Sequence, residues 1–288
     1  TLRDMHIARS FFYGAILALM LIGLISIALK GRKATNRVRA QIISLVATFV
    51  FLPVMLAIPF YEALGTTSFV NAYFEMLSCL TTTGATVFDD YNRLLPALNL
   101  WRGMVGWLGG FLMWLSAIAI LAPLNLGGYE VTNDTEAGSG LLDYGQRIGE
   151  VNPGERLMRH TLHLLPLYAG LTASIAFLLI VFGDTGLVAT VHAMSIMSTS
   201  GISSIGGLQN AVSGMLGELV LFCGMIFAVS RLTFANERKF ETKTQWLNDP
   251  EIRLAVVLTL GIPLILFARH FVGSFEVNEQ DNIAGALT

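Results

Sequence analysis

Two short tracts rich in hydroxyl side chains, each with one glycine, have the residue types best suited to holding an ion. The first comprises Thr81, Thr82, Thr83 and Gly84, and the second comprises Ser198, Thr199, Ser200 and Gly201. Glycine permits the positive φ that turns successive carbonyls to one side. A strand whose carbonyls face a shared axis can replace the water shell of a dehydrated cation. Either tract alone could instead be a threonine-rich turn that caps a helix.

An apolar stretch too short to cross a membrane precedes each tract. Residues 68–80 and 187–197 each read as a half-helix that enters the membrane and stops. The carbonyl end of such a helix lies beside the tract, where the helix dipole favours a cation.

The two tracts belong to a repeat, since Gly201 follows Gly84 by 117 residues. The same offset pairs Ala72 with Ala189, Ser78 with Ser195, Thr82 with Thr199, and hydroxyl residues at 81/198, 83/200 and 86/203. The repeated unit is a span, a half-helix, a hydroxyl-glycine strand and a second span. Two matched copies argue against the capping-turn interpretation.

The composition places this unit in a membrane. Of 288 residues, 54% are hydrophobic and 13% charged, against about 25% charged in soluble domains. A bilayer core requires roughly 20 apolar residues per helix. Apolar runs that meet or approach this length lie at residues 10–29, 40–61, 101–126, 161–182, 211–229 and 254–268. We therefore predict an all-α membrane protein, and no basic run suggests a nucleic-acid partner.

The distribution of basic residues predicts the orientation. Most of the 18 Lys and Arg fall in the loops that follow the first, third and fifth runs, and the positive-inside rule makes that side cytoplasmic. The N-terminus and residues 62–100 and 184–210 are then outside. Two spans per unit make the repeats parallel about an axis along the membrane normal, whereas inverted repeats need an odd number of spans.

The residues around both tracts resemble a known family. The runs are FEMLSCLTTTGATVFDDYNRLLPALNLWRGMVGWLGGF and HAMSIMSTSGISS. They resemble the first and second pore repeats of the Trk/Ktr/HKT superfamily of K⁺ uptake proteins, nearest the bacterial Trk-type membrane subunit. The resemblance implies four units in one polypeptide around one pore, with pseudo-fourfold architecture and one glycine per filter. Gly84 and Gly201 match those glycines, and glycine in the first filter resembles the K⁺-selective members.

The resemblance also divides the chain. It implies an accessory helix and basic loop at 1–39, a first pore repeat at 40–126, a cytoplasmic linker at 127–160, a second pore repeat at 161–235, and a cytoplasmic connection with the first span of a third repeat at 236–288. The third and fourth filters and the third-repeat gate helix are not in this sequence. We expect a longer polypeptide to supply them, with a pair of half-pores as the alternative.

For function, the resemblance implies potassium uptake at the bacterial inner membrane. The backbone carbonyls of the eight tract residues would coordinate dehydrated K⁺, which is the transported ion, and no covalent cofactor is implied. The implied partners are membrane lipid, a cytosolic ring of nucleotide-binding regulatory subunits, and a second copy of the full-length subunit.

Two other classes of function compete with a pore. A carrier that couples K⁺ to H⁺ or Na⁺ would favour ionisable residues within spans, and few lie in these runs, Arg102 near a span end among them. An intramembrane protease would need paired span aspartates, which are missing, or a Ser–His pair. His192 and Ser195 lie only three residues apart on one short helix, a poor geometry for a dyad, so we predict that the chain is not an enzyme.

Glu75 and His192 occupy equivalent positions, nine residues before each glycine. Glu75 could tune the field around a cation or brace the filter, and a hydrogen-bonded scaffold role is the alternative. His160 and His163 have a spacing that could bind a metal, but no third ligand is near, so interfacial histidines are expected.

Small and sulfur-containing residues carry weaker signals. Gly106 and Gly110 form a small-xxx-small pattern typical of close helix packing. Cys79 and Cys223 both lie in apolar stretches, which predicts two buried free thiols and no disulfide.

Overall fold

The computed structural model describes residues 2–31, 37–88, 90–118 and 153–229, with residues 254, 257, 261 and 264–269. The described helices are α1 (Leu2–Leu29), α2 (Arg37–Leu64), α3 (Phe69–Leu80), α4 (Pro96–Ser116), α5 (Pro153–Val181), α6 (Gly186–Met197) and α7 (Gly214–Val229). No strand occurs among these residues, so the predicted all-α fold is confirmed. The chain falls into two units, Thr1–Phe234 and Ala235–Thr288. In the second unit, the described residues are helical.

Among the described residues, three helices are long and apolar enough to cross a membrane by length and composition, and each falls on a predicted span. They are Met5–Leu29 in α1, Arg39–Leu64 in α2 and Leu157–Val181 in α5. Large apolar side chains cover their outer faces, and Leu19 and Ile27 are 69% and 73% exposed. An exposed apolar surface of this extent requires lipid around it, and the chain is an integral membrane protein.

Several helices extend beyond the predicted runs. α1 begins at Leu2, α4 at Pro96 and α5 at Pro153, each at least five residues earlier than its apolar run. The apolar run marks only the part of a helix that faces hydrocarbon, whereas the backbone stays helical through the polar residues beside it. Residues 119–126 of the third predicted span and 127–152 of the predicted linker lie outside the described part of the chain.

The helix boundaries reproduce the repeat without an insertion. α3 and α6 both have 12 residues and start 117 positions apart. α2 and α5 end at the equivalent residues Leu64 and Val181. Short 3₁₀ turns at Tyr91–Arg93 and Leu208–Asn210 are also equivalent. The offset read from the two tracts therefore extends from the end of the first span through the half-helix and the tract to the 3₁₀ turn.

α4 connects the two repeats because it packs on both half-helices. Within its own repeat, Leu98 of α4 is fully buried in a core with Ala72 and Met76 of α3. Toward the second repeat, a Cβ at Gly103 would lie 3.5 Å from the Val191 side chain of α6. α4 therefore packs against both half-helices.

The two cysteines differ in their surroundings. Cys79 is buried and Cys223 of α7 is exposed, and both are free thiols. The prediction that both are buried is therefore wrong for Cys223. An apolar run has the same composition whether it faces a protein core or lipid, so sequence alone does not separate the two.

Candidate functional site

Each hydroxyl-glycine tract begins as the C-terminal cap of its half-helix. The backbone N–H of Thr81 donates to the Leu77 carbonyl over 2.9 Å, and Thr81 Oγ1 donates to the same oxygen over 2.8 Å. Ser198 repeats both bonds to Met194, at 3.0 and 2.8 Å. These bonds satisfy carbonyls that a helix end otherwise leaves without partners. Both tracts therefore leave their helices along the same path.

The backbone turns left-handed twice in each tract. Thr82 and Thr199 have φ of 55° and 52°, and they are the only residues other than glycine with positive φ in the described part of the chain. Gly84 and Gly201 follow with φ of 71° and 69°. A positive φ is a real outlier for a β-branched residue, and such strain persists only where surrounding contacts enforce it. The sequence predicted this conformation for the glycines and missed it for the threonines.

Backbone bonds hold the strained residues in both repeats. The N–H groups of Thr82 and Thr199 donate to the Cys79 and Ile196 carbonyls, each over 3.0 Å. The hydroxyls one position before and one after each strained threonine lie close to each other. Thr81 Oγ1 and Thr83 Oγ1 are 2.8 Å apart, and Ser198 Oγ and Ser200 Oγ are 3.0 Å apart. The hydroxyls thus support the backbone of the tract.

The two tracts lie side by side. A Cβ at Gly84 would overlap the carbonyl oxygen of Ser200, whereas a Cβ at Gly201 would meet nothing within 4 Å among the described residues. Position 84 therefore requires glycine for two reasons: its φ is positive, and the neighbouring tract leaves no space for a Cβ. The equivalent side of Gly201 is open.

Three glycines of α4 allow this helix to pack closely against residues in and beside both tracts. A Cβ at Gly109 would overlap the Leu80 carbonyl, which ends α3. A Cβ at Gly110 would lie 2.7 Å from Ser198 Cβ, and one at Gly106 would lie 2.7 Å from Ile202 Cδ1. The small-xxx-small pattern indicated close packing here. It did not reveal Gly109, whose signal was only its place beside Gly110.

Glu75 lies fully buried behind the first tract. Its Oε1 accepts from Arg102 Nε over 2.7 Å, and its Oε2 accepts from Thr86 Oγ1 over 3.0 Å and from the Val87 backbone N–H over 3.2 Å. Arg102 also donates to Asn99 Oδ1 over 3.3 Å. A buried carboxylate is stable only when paired and hydrogen-bonded, and both conditions are met here.

His192 occupies the equivalent place behind the second tract. Its Nε2 lies 3.0 Å from Ser203 Oγ, and its ring is buried. His192 and Ser195 do not form a catalytic pair, because the hydrogen-bond partner of the imidazole is Ser203. His160 and His163 lie on α5, and no group of three potential metal ligands occurs among the described residues.

A cavity of about 190 Å³ lies where the two half-helices end. Its lining includes Thr82, Ser198 and Thr199 of the tracts and Met113 and Trp114 of α4. The structure therefore brings parts of both predicted tracts, which follow the C-terminal ends of α3 and α6, to one shared space.

Comparisons with known proteins identify relatives of the chain. It is 29% identical over 226 residues to the Trk system potassium uptake protein TrkI of Halomonas elongata, covering 77% of this chain and 42% of that protein. It is 25% identical over 249 residues to TrkG of Escherichia coli, covering 84% of this chain and 49% of that protein. No family model matches.

The fold has a solved counterpart. The crystal structure of the potassium transporter TrkH from Vibrio parahaemolyticus superposes with a TM-score of 0.66 at 21% identity, covering 93% of this chain and 59% of that one. The chain spans less than half the length of the curated relatives described above. Their names describe transport, in agreement with the prediction that the chain is not an enzyme. The chain is therefore similar in sequence and in fold to Trk system potassium uptake proteins, as the resemblance of its two tracts predicted.

Proposed function

We propose that this chain forms two of the filter strands of a K⁺ uptake pore. The carbonyls of the two tracts, from Thr81 to Gly84 and from Ser198 to Gly201, would coordinate dehydrated K⁺. The observation that carries the proposal is the paired left-handed backbone at 82/84 and 199/201. Alternating backbone of this kind can direct successive carbonyls toward one axis, as K⁺ filters require.

The electrostatics of the half-helices support a cation as the ligand. α3 and α6 both end immediately before a tract, so the negative ends of two helix dipoles act on the same region. The carboxylate of Glu75 is neutralised by Arg102, which leaves carbonyl dipoles as the ligands. Such neutral ligands suit a monovalent ion that must bind and also leave.

Isotope uptake tests the proposal. The complete gene product, expressed in cells that lack other K⁺ uptake systems, should take up ⁸⁶Rb⁺, and external K⁺ should compete. Gly84→Ser should raise Na⁺ uptake relative to Rb⁺, while Gly170→Ser, which meets nothing within 4 Å, serves as the control. A Rb⁺/Na⁺ ratio that Gly84→Ser leaves unchanged would remove Gly84 from the filter.

An alternating-access carrier coupled to H⁺ or Na⁺ is the second candidate. The observation that favours it is the buried ion pair of Glu75 and Arg102, since ionisable residues at membrane depth are often functional. Single-channel currents distinguish the two, because a carrier turns over too slowly to produce them.

The remaining assignments concern the whole protein. A ring of oxygens around K⁺ is supplied by four strands in K⁺ filters, so two further strands complete it, from the same polypeptide or from a second copy. The proposed setting is the bacterial inner membrane, with lipid, a cytosolic nucleotide-binding regulatory ring and a second full-length subunit as partners.

A further inference from the structure

The strand after Gly84 is held from behind by a hydroxyl that both donates and accepts. Thr86 Oγ1 donates to Glu75 Oε2 over 3.0 Å and accepts from the Phe88 backbone N–H over 3.1 Å. The same carboxylate oxygen accepts from the Val87 N–H. The carboxylate can only accept, so the direction of the Thr86 bond is fixed.

Ser203 does the same in the second repeat, and its bonds fix the tautomer of His192. Ser203 Oγ accepts from the backbone N–H groups of Ile205 and Gly207, over 3.3 and 3.1 Å. These two bonds use both lone pairs of the hydroxyl, so its proton must go to His192 Nε2. Nε2 is then the unprotonated nitrogen, and a neutral ring carries its proton on Nδ1. Nδ1 is buried and has no hydrogen-bond partner among the described residues, so the assignment rests on the bond at Nε2 alone.

The span that follows each tract differs between the two repeats in the way that a charged Glu75 and a neutral His192 require. Arg102 of α4 pairs with Glu75. The residue 117 positions later is Leu219, which is 60% exposed. An anion behind the first tract has a cation beside it, and a neutral imidazole behind the second needs none.

We propose that positions 75 and 192 are positioning residues for the two filter strands, and that each acts as a hydrogen-bond acceptor for the hydroxyl at 86 or 203. His192 does so as the neutral Nδ1–H tautomer. This inference rests on the proposed function, because the strands it positions are the proposed filters. It assigns ion selectivity partly to side chains that do not touch the ion.

Two neighbouring serines provide a matched test. Ser203→Ala removes the donor, whereas Ser204→Ala removes a buried hydroxyl that has no partner in the described part of the chain. We expect Ser203→Ala to lower the Rb⁺/Na⁺ uptake ratio of the complete gene product by about fivefold, which corresponds to one hydrogen bond of about 1 kcal/mol. Ser204→Ala should leave the ratio unchanged. Equal ratios in both variants would overturn the proposal.

Two substitutions of His192 distinguish a role as hydrogen-bond acceptor from a role that only fills space. His192→Gln keeps an acceptor oxygen and should retain the ratio, whereas His192→Phe fills similar space without one and should lower it. Loss of selectivity in both would contradict the acceptor role. If Ser203→Ala does not reach the membrane, Thr86→Val against Thr86→Ser makes the same comparison in the first repeat. Rb⁺ uptake by the unmodified protein is measured first. If the unmodified protein takes up no Rb⁺, the proposed function is contradicted. If it takes up Rb⁺ but the variants do not change selectivity, only this inference is contradicted.

Discussion

The carbonyl oxygen of Ser200 lies against the α-carbon of Gly84, on the side where any other residue carries its Cβ. The equivalent glycine, Gly201, has the same left-handed φ and open space on that side within the described residues. The two glycines therefore share a conformational requirement and differ in a steric one.

Alanine at these two positions should have unequal effects. Both substitutions place a side chain in a left-handed conformation at a cost of about 1–2 kcal/mol. Gly84→Ala additionally forces the Ser200 carbonyl to move, so it should lower the Rb⁺/Na⁺ uptake ratio further than Gly201→Ala. Parallel uptake assays at matched expression check this order. Equal loss in both variants would show that Gly201 also faces a close neighbour.

The glycine of α4 nearest the first half-helix gives a second prediction. Gly109→Ala would press a methyl group into the Leu80 carbonyl, and overpacking of this kind costs about 1–3 kcal/mol. The melting temperature of the detergent-purified protein should fall. Gly170→Ala on α5 introduces the same methyl group where nothing lies within 4 Å, so it should melt like the unmodified protein. A Gly109→Ala protein as stable as this control would contradict the contact.

Asp184 provides a third prediction, because it caps the start of α7. Its two carboxylate oxygens accept from the Ser213 backbone N–H and from Ser213 Oγ, each over 2.9 Å, and the group is buried. Hydrogen bonds to a charged group contribute about 1.5–3 kcal/mol, and an anion at a helix N-terminus gains from the dipole. Asp184→Ala should therefore destabilise the protein by about 2–3 kcal/mol, with Asp184→Asn intermediate.

The control for Asp184 is another acid of the same region. Glu218 on α7 is exposed, so Glu218→Gln should change stability little. Thermal unfolding in one detergent compares the variants. If Asp184→Ala and Glu218→Gln have the same melting temperature, the cap contributes nothing to stability.

The features that the sequence predicted are those with local signals. The two half-helices, the tracts and the 117-residue offset follow from short apolar runs and hydroxyl-glycine spacing, and the structure has helices at those places. The left-handed Thr82 and Thr199 were missed because threonine disfavours that conformation on its own, and only the surrounding bonds enforce it.

Contacts between residues far apart in the sequence could not be predicted either. Glu75 and Arg102 were each noted, but their pairing joins residues 27 positions apart on different helices. A lone arginine in an apolar helix signals that an acid must be near, without saying which. The contact of Gly109 with Leu80 has no sequence signal beyond a run of small residues, because it depends on the angle at which α4 crosses α3.

The last prediction concerns orientation, which the distribution of basic residues sets and helix packing does not test. Cysteines at Asn92 and Asn210, in the two equivalent 3₁₀ turns, should react with a membrane-impermeant maleimide in intact cells. Cysteines at Thr35, Ser139 and Thr242 should react only after permeabilisation, since the positive-inside rule places them in the cytoplasm. The exposed native Cys223 is replaced by serine in every variant, and that background alone must remain unlabelled.

Both turns follow a tract, so labelling them from outside would place the proposed filters toward the external face. Labelling of Asn92 and Asn210 from opposite sides would make the repeats antiparallel, and a shared pore axis along the membrane normal would then be impossible.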